Sequence, residues 1–120
     1  MGETQKRGNF GEDAALEFLK KLGYGELDRT YRTRFGEIDL IVRDGEYVVF
    51  VEVKTRKNSD FAEAREFVSA AKQKRVRTTA QIWLNSHDTE LQSRFDVVEV
   101  YAPQGADTKN PEIIHIENAF

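Results

Sequence analysis

The chain has no cysteine. That excludes disulfides, a thiolate zinc site and a cysteine nucleophile. No apolar run approaches 18 residues, so no segment is expected to span a membrane. The opening MGETQKRGNFGED has no apolar stretch of the secretion-signal kind, and a cytoplasmic location is the expectation. The two histidines, His87 and His115, have no clustered partner ligands, and no serine sits in a nucleophile-elbow pattern. There is no linker, internal repeat or low-complexity tract. With 120 residues, of which 39% are hydrophobic and 32% charged, the chain reads as one globular domain, residues 1–120, with a real core.

The net charge is −3, which argues against a purely electrostatic nucleic-acid binder. The distribution is uneven. Residues 54–77 carry eight Lys or Arg against three acids, whereas residues 78–120 carry two against seven. This pattern fits one basic face on an acidic body, or a solvated helix surface.

Apolar spacing predicts a helix over 9–22, capped by Asn9, with Glu12 and Asp13 in its first turn and Gly23 as its stop. A strand is expected over 26–34. Residues 36–43 and 46–54 are β-rich runs around Asp44-Gly45, a hairpin signal. A long helix is expected over 60–85, a strand over 94–101 and a short strand in EIIHIE. The order predicts a mixed α/β domain, its sheet centred on the hairpin and flanked by the two helices.

The hairpin GEIDLIVRDGEYVVFVEVKTR carries charge inside apolar strands. If Asp44-Gly45 is a two-residue turn, Arg43 faces Glu46, Asp39 faces Phe50 and Glu37 faces Glu52. Side chains alternate, so Glu37, Asp39, Val48, Phe50, Glu52 and Lys54 share one face. Ile38, Leu40, Val42, Val49, Val51 and Val53 line the other, apolar face. Asp39 and Glu52 become diagonal neighbours, roughly 7–8 Å apart at the backbone. A slip of one residue would undo this. Unpartnered buried carboxylates are costly, and Mg²⁺ or Mn²⁺ relieves them. Lys54 beside them can polarise water or stabilise a phosphate, the parts needed for metal-assisted phosphodiester hydrolysis. Glu-x-Lys is also a plain ion pair on a solvated strand.

An Asp on one strand followed by Glu-x-Lys on the next resembles the signature of the PD-(D/E)XK nuclease superfamily, with a restriction-endonuclease-like fold. RFGEIDLIVRDGEYVVFVEVKTR looks like the YraN-like family of uncharacterised bacterial proteins, itself similar to archaeal Holliday junction resolvases. GEDAALEFLKKLGY, KQKRVRTTAQIWL, RFDVVEV and IIHIENAF extend the likeness over nearly the whole chain. One departure is KNSDFAEAREFVSAAKQK, which has neither the Gly nor the Pro of many family members.

The resemblance implies Asp39, Glu52 and Lys54 as the catalytic set, and Asp39, Glu52 and Glu12 around the metal. Glu37 and Gln73 are implied supporting groups. Arg32, Arg34, Arg56, Lys72, Lys74 and Arg75 are candidates for phosphate contacts. The resemblance also implies DNA, branched or structured, as substrate, and a homodimer, because a four-way junction needs paired cuts. A binding module that holds nucleic acid or protein without cutting, and a structural domain with solvated acids, are the competing readings.

Overall fold

The computed structural model describes residues 10–57 and 68–120. Helix α1 (Phe10–Lys21) precedes strands β1 (Gly25–Thr33), β2 (Gly36–Asp44) and β3 (Tyr47–Arg56). Helix α2 (Ala70–Ser86), β4 (Gln92–Tyr101), a short 3-10 turn (Gly105–Asp107) and β5 (Glu112–Ile116) follow. The five strands form one sheet in sequence order. β3 and β4 are parallel; the other neighbours are antiparallel. The parallel pair needs a crossover, which α2 supplies. One helix covers each face: α1 packs on Leu40, Val42, Val49, Val51, Val98 and Val100, and α2 on Ile38, Ile41, Val48, Phe50 and Phe95. This five-stranded mixed sheet between two helices is consistent with a restriction-endonuclease-like fold. No helix among the described residues is long and apolar enough to cross a membrane.

Helix α1 has Glu12 and Asp13 in its first turn and Lys20 and Lys21 in its last, both favourable to the helix dipole. It ends in a Schellman motif. Gly23, at φ +99°, donates to the Lys20 carbonyl, and Tyr24 donates to the Leu19 carbonyl. Asn9, the expected cap, lies outside the described residues. So do residues 60–67 of the expected 60–85 helix, including Phe61, Ala64 and Phe67. Within the described part, α2 begins only at Ala70. Ser69 is extended and its Oγ accepts from the Lys72 N–H at 3.1 Å, a serine cap that sets the start. Val68, before the cap, is buried against Val97.

The hairpin register is two residues away from the expected one. Asp44 pairs with Tyr47, and Ile41, not Asp39, lies opposite Phe50. Gly45 has φ +59° while Glu46 stays at negative φ. A positive φ at the first central residue alone is the pattern of a type II′ turn, so Gly45-Glu46 forms the turn. A shift of two preserves the face of every side chain. The apolar face is nonetheless not uniform: Ile38 packs towards α2 and Leu40 towards α1. Their β1 partners are Tyr31 and Arg29, and the residue between those, Thr30, has φ +51°. This left-handed residue, rare for a β-branched side chain, interrupts the pleat beside Asp39. Tyr31 is accordingly half-buried against the α2-side core.

β4 also carries charge indoors. Asp96 is fully buried and Arg94 nearly so. Asp96 accepts from Arg94 at 3.0 and 2.9 Å, from the Asn118 N–H at 3.0 Å, and bonds His115 Nε2 at 2.7 Å. Arg94 also donates to Asp44 at 2.8 Å and to the Tyr24 hydroxyl at 3.0 Å. Burial pushes the Asp96 carboxyl up, but its bonds from His115, Arg94 and Asn118 outweigh that and hold it below the usual range. Asp96→Ala removes the buried carboxylate that pairs with the Arg94 guanidinium, leaving it Asp44 and Tyr24 as hydrogen-bond acceptors, and is expected to cost about 3 kcal/mol in urea denaturation at pH 7. A lowered folded pKa contributes stability above the unfolded value. The gap between wild type and variant should therefore narrow as pH falls below about 4. A gap constant with pH would contradict the assignment.

Candidate active site

The β2–β3 ladder runs from Asp44–Tyr47 to Leu40–Val51 and stops there. Beyond it, residues 36–38 of β2 pair with β1, and residues 52–56 of β3 pair with β4. Asp39 sits where the two strands part. Its Oδ2 accepts from the Val53 N–H at 2.8 Å, a side chain replacing a ladder partner. Continuing the observed register past Leu40–Val51 aligns Asp39 with Glu52, so the two acids occupy the mouth of the wedge.

Helix α1 brings a third acid. Gly11 lies so close to β3 that a Cβ there would collide with Thr55 Oγ1. The next residue, Glu12, is thereby set against the wedge. Its Oε1 accepts from Thr30 Oγ1 at 3.2 Å and from Arg29 Nε at 3.5 Å; Arg29 also bonds Asp13. Glu37 pairs with Arg32 at 2.8 Å. Carboxylate oxygens of Glu12, Glu37 and Asp39 lie within 4.8 Å of one another. Burial, then repulsion from Glu52, pushes the Asp39 carboxyl up to about 7; Glu12 and Glu37 add to the rise, and the Val53 N–H opposes it. An all-oxygen set with uncompensated negative charge fits a hard divalent cation such as Mg²⁺ or Mn²⁺.

Helix α2 closes the other side. Gly36 approaches it so tightly that a Cβ would stand 3.1 Å from Thr79 Oγ1 and 3.4 Å from Arg75 Cβ. Gly36, Glu37, Asp39, Glu52, Lys72, Arg75 and Val76 line one cleft. Glu52 is buried, at 6% exposure. Its Oε2 lies 2.6 Å from Lys72 Nζ and 3.7 Å from Lys54 Nζ.

The structure thus brings together Glu12, Glu37, Asp39, Glu52, Lys54, Lys72 and Arg75. Other expected residues stand elsewhere. Gln73 donates to the Val68 carbonyl at 2.9 Å, bracing the start of α2. Lys74 lies on the flank of α2 shared with Arg77 and Gln81. Arg34 lies over the Phe35 ring. Arg56 is largely buried, 3.6 Å from Glu99. Outside the site altogether, Trp83 is core, in contact with Phe50, and His87 stacks on it. Sequence reading missed Arg29 and Thr30, which hold Glu12. It also missed Glu99, a buried acid whose register partner is Lys54. For Glu99 the signal was present, a charge inside the apolar run VVEVY. For Thr30 there was none, because a left-handed threonine has no sequence mark.

A raised folded pKa makes Asp39 destabilising once ionised. In cation-free protein its contribution falls as pH rises between about 4 and 7. Asp39→Asn, which keeps an acceptor for Val53, is expected to be more stable than wild type at pH 8 by roughly 2 kcal/mol. The gain should vanish near pH 4. Thermal unfolding in EDTA across this range checks it, and a variant no more stable at pH 8 would contradict the described environment.

The model of the uncharacterised protein family UPF0102 matches residues 11–100. That span contains Glu12, Glu37, Asp39, Glu52, Lys54 and Lys72. A UPF0102 protein of Acetivibrio thermocellus is 45% identical over 116 residues, covering 94% of this chain and 89% of the relative. One of Rhodococcus opacus is 40% identical over 121 residues, covering the whole of both chains. One of Vibrio parahaemolyticus is 45% identical over 105 residues, covering 84% of this chain and 87% of its own. With most of its length matched by the family model, the chain belongs to UPF0102, the YraN-like family.

Proposed function

We propose that the chain is a Mg²⁺- or Mn²⁺-dependent endonuclease that hydrolyses phosphodiester bonds in branched or otherwise structured DNA. The observation that carries this reading is the convergence of Glu12, Glu37 and Asp39 with buried Glu52 and Lys54 where β2 and β3 part. Asp39, Glu52 and Glu12 would hold the cation, with Glu37 beside them. The bound cation would supply Lewis-acid stabilisation of a phosphate oxygen and lower the pKa of a coordinated water. Lys54 orients the attacking water and stabilises charge developing on the phosphate. Lys72 and Arg75, on the cleft wall, hold phosphate oxygens, contacts that position a substrate without reading its sequence. Exposed Arg32, paired with Glu37 of the cleft, extends this side of the surface. A resolvase-like reaction needs two cuts, so the working form is a two-fold dimer in the cytoplasm.

A second reading is a nuclease fold that binds nucleic acid or protein without cutting. It is favoured by the net charge of −3 and by the engagement of both lysines with Glu52.

The test is cleavage of single-stranded, duplex, flap and four-way-junction DNA with Mg²⁺ and with Mn²⁺. Glu52→Gln and Lys54→Met, checked for folding by circular dichroism, run beside the wild type. Each variant is expected to lose at least about 10²-fold in rate, with the junction or flap cut fastest. Retained cleavage in both variants would overturn the site assignment. Tight binding without any cut would favour the second reading.

A further inference from the structure

Lys72 is placed against the electrostatics of its own helix. It is the third residue of α2, whose first turn contains no acid. A positive charge there opposes the helix dipole; α1, with Glu12 and Asp13 in its first turn, has the ordinary arrangement. The placement is also firm at its base, because the Lys72 N–H is tied to Ser69 Oγ. From that anchor the ammonium reaches Glu52 Oε2 at 2.6 Å. Glu52 is buried, whereas the Lys72 side chain is one-third exposed in the cleft.

The acids of the wedge differ in how they are held. Glu12 has Thr30 and Arg29, Glu37 has Arg32, and Asp39 has the Val53 N–H. The oxygens of these three converge. Glu52 is not part of that group, and its shortest partner is the Lys72 ammonium. A lysine ammonium is a compact point charge on a flexible four-carbon stem, able to exchange partners without moving the backbone.

The geometry points to Lys72 as a displaceable counter-ion of Glu52, holding the carboxylate until a divalent cation takes it and then passing to a substrate phosphate. This rests on the cation site of the proposed function. Exchange of this kind makes the lysine and the cation competitors for one carboxylate. It also couples cation and phosphate binding, since each frees the partner of the other. Lys72 is thus a positioning residue whose removal strengthens cation binding in the absence of nucleic acid.

The experiment is calorimetric titration of Mn²⁺ into DNA-free wild type, Lys72→Met and Lys72→Arg, with folding checked by circular dichroism. Lys72→Gln stands in if Lys72→Met does not fold. The expected result is Mn²⁺ binding on the order of tenfold tighter in Lys72→Met or Lys72→Gln. Lys72→Arg should bind at or below the wild-type affinity, since a guanidinium also holds a carboxylate. Unchanged or weaker binding in the neutral variant, with wild-type binding intact, overturns the exchange alone. No Mn²⁺ binding by any of the folded proteins overturns the cation site itself, and the exchange with it.

Discussion

The site depends on the hydrogen bond from the Val53 N–H to the Asp39 carboxylate. A central antiparallel pair ordinarily satisfies its backbone groups by continuing its ladder. Here the ladder stops at Leu40–Val51, and a side chain takes over one donor. The strands can then part without leaving that N–H orphaned. The wedge so opened admits Glu12 from one face and Lys72 from the other. Two close approaches make this possible: Gly11 lets α1 settle on Thr55, and Gly36 lets α2 settle on β2. Thr30, in the left-handed region, lies beside the same point, where Ile38 and Leu40 feed opposite cores.

Two of the charge assemblies inside the sheet contrast in a way that separates structure from chemistry. Around Asp96 stand the donors Arg94, His115 and the Asn118 N–H. Its carboxyl is held below the usual range, as expected for a satisfied network that pins the end of the chain to the sheet. Around Asp39 the balance is reversed. Burial and neighbouring carboxylates exceed the single backbone donor, and the group is pushed up to about 7. A like-charge cluster that opposes folding is tolerated where it serves binding. That surplus of negative charge, facing a cleft whose far wall carries Lys72 and Arg75, is the physical basis for reading the wedge as a cation-dependent site.

Much of this was legible from residue pattern. The two helices, the hairpin and its faces follow from period-2 and period-3.6 spacing, and Asp39, Glu52 and Lys54 stood out as charges in apolar strands. The turn type was not legible, because Asp44-Gly45 and Gly45-Glu46 both satisfy a glycine-containing hairpin; the actual turn needs positive φ only at Gly45. A shift of two by itself moves no side chain to the other face, but the expected common face of Ile38 and Leu40 was wrong, because these two residues pack into opposite cores. The start of α2 was set by one serine cap, a local bond that an apolar stripe does not reveal. The partners of the acids were also hidden. Arg29, Thr30 and Lys72 reach the wedge through tertiary packing, and Lys72, Lys74 and Arg75 look alike in a list of basic residues. Only the structure puts Lys72 on Glu52, Arg75 in the cleft and Lys74 on the other flank.

The central claim is that the parting of β2 and β3 builds a site for a divalent cation. The most direct measurement is anomalous diffraction from crystals grown in Mn²⁺. The account predicts a peak in the wedge, with oxygens of Asp39 and Glu12 at roughly the 2.0–2.2 Å expected of a hard octahedral cation. A crystal saturated with Mn²⁺ that shows the wedge without a peak, its acids still paired as described, would contradict it.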